Sequence, residues 1–380
     1  MDALTLTLVA AAILAPLDLV RNSHALERVR AHDRAILRLL GVLAMVLVLL
    51  DPVAGIVATL GITGYAREGS LRYLLLASGV ALVWLVAPLI SPLRGWIALG
   101  WLTLALVEAV VMLWFWGAAK AWWRARTTFA ETRPLWPLSG FRGQHTVFAA
   151  ALALLLPMAW LMPPRLILSA TPPLLGYHEL AIPVLGLLWL LLLIGMSSWV
   201  GVLAGLAGLA VVAPALTPYL VGLILTALAV LVPRFLNGHD TWLNRLPRGD
   251  SLDSVKERWR TWVFLLGTMR RWPWRTWRSG RGFDGENQDL LRAQALGRVV
   301  QTQGTAHNDV LALVYSNGAV GLAALILVAI RLAGSLRFGD PWSATVVAGV
   351  VVALGSHALR YPSVGLVWWL SAAFVAQGGR

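Results

Sequence analysis

The sequence predicts an all-α protein: a polytopic membrane helix bundle of about 11–12 spans with one long, mostly helical loop outside the bilayer. Three observations predict it. The 380 residues are 58% hydrophobic and only 13% charged. Long apolar runs recur along the chain, each near the length of about 20 residues that a hydrocarbon core requires. The charges collect in three segments between those runs. A soluble domain needs far more charge to cover its surface, and no single core of ordinary size would absorb this many aliphatic residues.

In chain order, the expected spans cover residues 3–20, 36–50, 52–65, 73–91, 96–115, 146–162, 179–196, 199–214, 218–233, 308–330, 343–359 and 362–376. The first runs from Ala3 to about Val20 without a basic start or a clear cleavage site, so it reads as a retained span and not a signal peptide. Asp51-Pro52 is either a turn between two short helices or a kink in one long one, because proline removes a backbone donor. The count is eleven or twelve accordingly. This divides the chain into an N-terminal bundle over 1–235, a loop over 236–306 and C-terminal helices over 307–380.

The first polar connection, Arg21 to Ala35, carries Arg21, Arg28, Arg30 and Arg34. The second, Gly117 to His145, carries Lys120, Arg124, Arg126, Arg133 and Arg142. The third, Leu236 to Ala306, holds twelve basic and seven acidic residues, a balance of +5. Basic loops favour the cytoplasm, but loops longer than about 60 residues escape that rule. With twelve spans and both termini inside, all three basic loops face outward; with eleven, the first moves inside.

The formal net charge is +13. In a soluble protein this points to nucleic acid. Between apolar runs, the same charge suits phosphates of lipids or lipid-linked substrates, and part of it serves as orientation signal and headgroup anchor. There are no cysteines, which excludes disulfides, thiolate nucleophiles and zinc–thiolate sites.

The long loop predicts an amphipathic helix over Asp253 to Arg270. Val255, Trp259, Trp262, Val263 and Leu266 recur at three- and four-residue spacing and predict one apolar face, lying on the membrane surface or on the spans. Arg258 and Trp262 are four apart and neighbour one another on that helix. Arg271-Trp272-Pro273-Trp274-Arg275-Thr276-Trp277-Arg278 follows, then Gly280-Arg281-Gly282-Phe283. Alternating arginine and indole suits bases, headgroups or sugar rings; in a membrane chain the last two are preferred, so no nucleic-acid partner is expected.

Thr305-Ala306-His307-Asn308-Asp309 then leads into an apolar helix. His307 therefore stands beside a helix N-terminus at the edge of a span. The helix dipole there disfavours the imidazolium, and a neutral imidazole accepts a proton from an attacking hydroxyl. The plainer alternative is a histidine that caps the helix or faces headgroups.

Four places, spread over about residues 140–376, resemble the O-antigen ligase and polymerase superfamily of bacterial envelope enzymes, most of all the ligase-like group that includes O-oligosaccharyltransferases. They are His307-Asn308 opening an apolar helix with Tyr315, Gly318 and Gly321 beyond it; Glu257-Arg258 with Trp262, Pro273 and Gly280-Arg281-Gly282-Phe283; Gly140-Phe141-Arg142-Gly143-Gln144-His145; and His357 with Arg360, Pro362 and an apolar last helix. Two departures stand out. The stretch Gln144 to Ala149 lacks the family's usual Asn. Ser197-Ser198-Trp199 lacks the arginine that usually follows Ser and is thought to hold the substrate diphosphate.

The resemblance implies a GT-C-like membrane fold in the bacterial inner membrane, multi-pass, with the long loop and the active site periplasmic. It implies transfer of a glycan from undecaprenyl diphosphate to a sugar hydroxyl of lipid A–core, with no cofactor and no metal. The catalytic base is then His307. Arg258 is assigned to the diphosphate, with Arg142 and Arg281 as further candidates. Asn308 would orient the acceptor or His307. His357 and Arg360 reach the same membrane face if the last three spans alternate. Fixed guanidinium groups are the donors a departing diphosphate needs. A polymerase or a protein O-oligosaccharyltransferase would share these groups and differ in acceptor. From another class, a transporter of lipid-linked glycans should carry ionisable residues in mid-span, where Glu108 is the one carboxylate deep within a confident span. The last alternative is a non-catalytic scaffold.

Overall fold

A computed structural model describes residues 31–68, 71–114, 145–159, 199–216, 218, 222, 252–282, 285–297 and 306–378. Every regular element among them is helical. The helices are α1 (Ala31–Leu50), α2 (Pro52–Glu68), α3 (Leu71–Ile90), α4 (Arg94–Trp114), α5 (His145–Ala159), α6 (Trp199–Val212), α7 (Leu252–Arg270), α8 (Trp274–Ser279), α9 (Gly285–Ala295), α10 (Asp309–Ala333), α11 (Pro341–Gly355) and α12 (Pro362–Gly378). Nine of the expected spans overlap a helix closely. Those at 3–20 and 179–196, and nearly all of 218–233, lie outside the described residues.

Two stretches among the described residues are long and apolar enough to cross a membrane: Leu74–Ala105 and Asp309–Ala333. Six apolar helices are shorter, at 10–17 residues. The chain divides into two compact units. One takes the described residues within Met1–Leu89, Glu257–Ser335 and Ala376–Arg380, the other those within Ile90–Lys256 and Leu336–Val375.

In the first unit, Asp51 settles the choice between turn and kink. Its Oδ1 accepts from the amides of Val53 (2.8 Å) and Ala54 (3.1 Å), capping α2 with Pro52 in the first turn, where proline's missing donor costs nothing. The chain doubles back there. A Cβ on Gly55 would collide with the backbone of Val48, seven residues earlier, which a straight helix would hold about 10 Å away. Asp51 Oδ2 also pairs with Arg331 Nη2 of α10 at 3.7 Å. The core of this unit gathers Leu265, Met269, Trp272, Leu290, Ala306, Val314 and Tyr315, so α7, α9 and α10 meet beneath Trp272.

α7 begins and ends as expected, and of the described residues of the apolar face expected on the membrane surface or on the spans, only Trp262 packs against the core of this unit. Thr261, Leu265 and Met269 turn inward, while Trp259, Val263 and Leu266 stay exposed. The helix has apolar residues on two sides, and spacing alone does not say which side finds a neighbour.

The second unit is built on α5, α6 and α11. Every described side chain of α5 from Ala149 to Met158 is buried, as expected for a helix apolar on all sides. Small residues bring the backbones close: a Cβ on Gly208 of α6 would meet Pro157 of α5 and Ala344 and Ala348 of α11. Polar groups in this core are matched. Thr345 Oγ1 donates to the Leu154 carbonyl (2.9 Å), and Trp368 Nε1 donates to that of Val346 (3.0 Å). Asp340 caps α11 by accepting from the Ser343 amide (2.8 Å) and hydroxyl (2.6 Å).

Candidate functional site

The site is assembled where three segments of the long loop converge on the start of α10. α7 supplies Trp262, whose Nε1 donates to the Ala306 carbonyl at 2.6 Å. α9 supplies Glu286, which is buried and accepts the amide of the same residue at Oε1. Both polar backbone groups of Ala306 are therefore held from two separate helices of the loop. This is the accounting a fully buried peptide demands.

The next residue, His307, takes φ +48°, the one positive value outside glycine among the described residues. Histidine tolerates the left-handed region better than most side chains, yet such a conformation costs about 1–3 kcal/mol and persists only where the surroundings impose it. Asn308 follows in extended conformation and caps α10, its Oδ1 accepting from the Leu311 amide at 2.8 Å. The cap is thus Asn308 and not His307, which removes one of the two plain roles open to the histidine. The imidazole is partly exposed.

Farther along, α10 is broken at Gly318, whose φ is 60° and ψ is −137°. A continuous helix would offer the carbonyls of Tyr315 and Ser316 to residues 319 and 320. Here they accept instead from the amides of Arg281 (2.9 Å) and Gly282 (3.0 Å). The contact requires two glycines. A Cβ on Gly280 would strike the Ser316 backbone, and one on Gly318 would strike the carbonyl of Trp277.

Side chains close the same junction. Tyr315 donates its hydroxyl to Asp289 Oδ2 at 2.6 Å. Asp289 also pairs with Arg281 (3.5 Å) and Arg292 (3.9 Å). Trp272 packs edge-on against both Tyr315 and Trp277, with ring centroids 4.8 and 5.6 Å apart.

The residues singled out from the sequence are therefore placed as follows. His307, Asn308, Arg258 and Arg281 belong to the first unit. Arg258 lies on the side of α7 that carries Leu265 and Trp262, one turn before the indole that grips Ala306. Arg281 uses its backbone amide to hold broken α10 and its guanidinium to meet Asp289. His357 and Arg360 belong to the second unit, at the short 3-10 turn Ala358–Arg360 between α11 and α12. His357 there lies 5.8 Å, ring to ring, from Tyr361. Arg142, Ser197 and Ser198 lie outside the described residues.

Glu286 and Asp289 are not among the site residues expected from the sequence. A signal for Glu286 was present: it opens the i, i+4, i+7 stripe completed by Leu290 and Ala293, all three buried, so a carboxylate stood at a core position of a helix. No protein-family model, curated protein or solved structure matches the chain significantly.

Proposed function

We propose that this chain is a polytopic membrane glycosyltransferase. It moves a glycan from undecaprenyl diphosphate to a sugar hydroxyl of lipid A–core, at the periplasmic face of a bacterial inner membrane. The observation that carries this reading is the doubly anchored peptide at Ala306, which presents His307 in a left-handed conformation at the head of an apolar helix. A histidine serving only headgroup contact needs no such scaffold. Strain of this kind gathers at sites of chemistry.

In this reading the acceptor hydroxyl attacks the anomeric carbon of the glycan, and its proton passes to the neutral His307 imidazole. The bond from that carbon to the diphosphate oxygen breaks, and the electron pair leaves on undecaprenyl diphosphate. Arg258 faces the developing charge on the phosphate oxygens, where a fixed guanidinium needs little reorganisation. Asn308 holds the first turn of α10 and so fixes where His307 stands. Arg281, which pairs with Asp289, and Arg142 are the further candidates for the diphosphate.

The broken helix α10 supports the membrane part of the reading. Irregular backbone within an apolar span is stable where other protein groups take up the released carbonyls, as the Arg281 and Gly282 amides do here.

The test is transfer by purified protein in vesicles, with carrier-linked glycan as donor and lipid A–core as acceptor. His307→Ala should lower turnover by about 10²–10⁴-fold with donor binding retained. Arg258→Ala should weaken donor binding. A strain lacking the protein should show free core and accumulated carrier-linked polymer. Core capped by single repeat units would mean a polymerase instead, and an unaltered polysaccharide ladder would refute both.

A further inference from the structure

α7 is apolar along two separate stripes, and only one of them is buried. Leu265 is fully buried, with Thr261 and Met269 one turn before and after it. Trp259, Val263 and Leu266 follow the i, i+4, i+7 spacing of a single stripe and are 63%, 51% and 54% exposed. At about 100° per residue, this second stripe points roughly a third of a turn away from Leu265. Trp274, opening α8, is 74% exposed.

The charge around the exposed stripe is mostly positive. Between residues 257 and 279 stand Arg258, Arg260, Arg270, Arg271, Arg275 and Arg278 against the single acid Glu257. All of these arginines except Arg258 are exposed.

We propose that the Trp259–Val263–Leu266 face is an interfacial plate that seats on an anionic bilayer surface. The three side chains enter the boundary between headgroups and acyl chains, and the flanking arginines meet lipid phosphates. Each part of the patch fits that occupant. Indole rings favour the depth of the headgroups. An amphipathic helix with arginines beside its apolar stripe lies in the plane of the interface. Anionic headgroups attract basic residues held near them. The acyl interior is a poor alternative for a segment with this many guanidinium groups.

The plate requires no transfer reaction. Where the proposed reaction holds, it adds a consequence: α7 would float at a fixed height, with Arg258 on the inward side that carries Leu265, away from the lipid-facing stripe.

The chain has no cysteine, so single-cysteine variants of the full-length protein report cleanly. Val263→Cys and Leu266→Cys, with Asn287→Cys on the exposed side of α9 as control, are labelled with nitrobenzoxadiazole. The protein is reconstituted in phosphatidylcholine vesicles with or without phosphatidylglycerol, and the vesicles are washed with alkaline carbonate. Labels at 263 and 266 should shift to the blue, be quenched by brominated acyl chains and be shielded from aqueous iodide. The shift should be larger with phosphatidylglycerol, and the label at 287 should show none of it. Labels at 263 and 266 as open to iodide as the one at 287 would overturn the proposal. So would labels shielded from both quenchers, which would mean that protein covers the face. Removal of the chain by carbonate would refute the spanning reading, and the same labels on unwashed vesicles would then decide the plate.

Discussion

Replacing Gly318 by alanine tests the architecture on which the site depends. The native backbone at 318 has φ 60° and ψ −137°, a region that only glycine occupies without strain; forcing alanine into it costs about 1–3 kcal/mol. The new methyl group would also collide with the Trp277 carbonyl. The segment from Trp277 to Gly282 must then retreat and release the bonds from the Arg281 and Gly282 amides to α10, each contributing about 1 kcal/mol net. The combined loss is roughly 3–5 kcal/mol. Unfolding entropy of about 2.1 cal/mol/K per residue amounts to roughly 0.8 kcal/mol/K over 380 residues. The midpoint of thermal unfolding in detergent should therefore fall by about 4–6 °C. Gly267→Ala is the control. That glycine lies inside α7 with nothing within 4 Å of an added Cβ, so alanine there should stabilise by about 0.5–1 kcal/mol. A Gly318→Ala protein that melts with the parent, or together with Gly267→Ala, would refute the broken-helix argument.

Two further substitutions probe the anchors. Glu286→Ala leaves the buried Ala306 amide without its acceptor, a loss of about 1–3 kcal/mol, and should lower His307-dependent turnover; Glu286→Gln keeps an oxygen at that place and should restore most of it. Equal turnover in the two variants would show that the carboxylate does not hold the His307 turn. At the α1–α2 corner, Asp51→Asn keeps the helix cap and loses only the charge toward Arg331, a change of up to about 1 kcal/mol, whereas Asp51→Ala loses the cap as well, about 1 kcal/mol more. Thermal melts that do not separate Asn from Ala would remove the capping role.

What the sequence revealed of the fold, and what it hid, follows from the reach of each signal. Helix ends were legible because they depend on local chemistry. Pro52 and Pro362 start helices at their first position, where the expected spans 52–65 and 362–376 also begin, and Pro273 separates α7 from α8. The corner at Asp51 was undecided because a proline after an aspartate suits both a kink and a turn; the close approach of Gly55 to Val48 decides it, and that is a contact between helices. The place of α7's apolar face stayed open between the membrane surface and the spans for a related reason. Trp259, Val263 and Leu266 outweigh Thr261, Leu265 and Met269 in apolar bulk, and burial went to the stripe that Tyr315 and Leu290 could cover. A hydrophobic pattern names the sides that avoid water, and only the other half of the contact distinguishes a core from a lipid-facing surface. Around His307, the adjacency of His307, Asn308 and the apolar helix was plain in the chain. The hold on Ala306 was not, because Trp262 and Glu286 lie 44 and 20 residues away from it. The same distance makes the turn a sensitive point. A left-handed histidine next to a peptide held by two side chains, one from α7 and one from α9, keeps its conformation only while both helices stay folded. Conditions that loosen α7 or α9 should therefore silence His307 before they unfold α10.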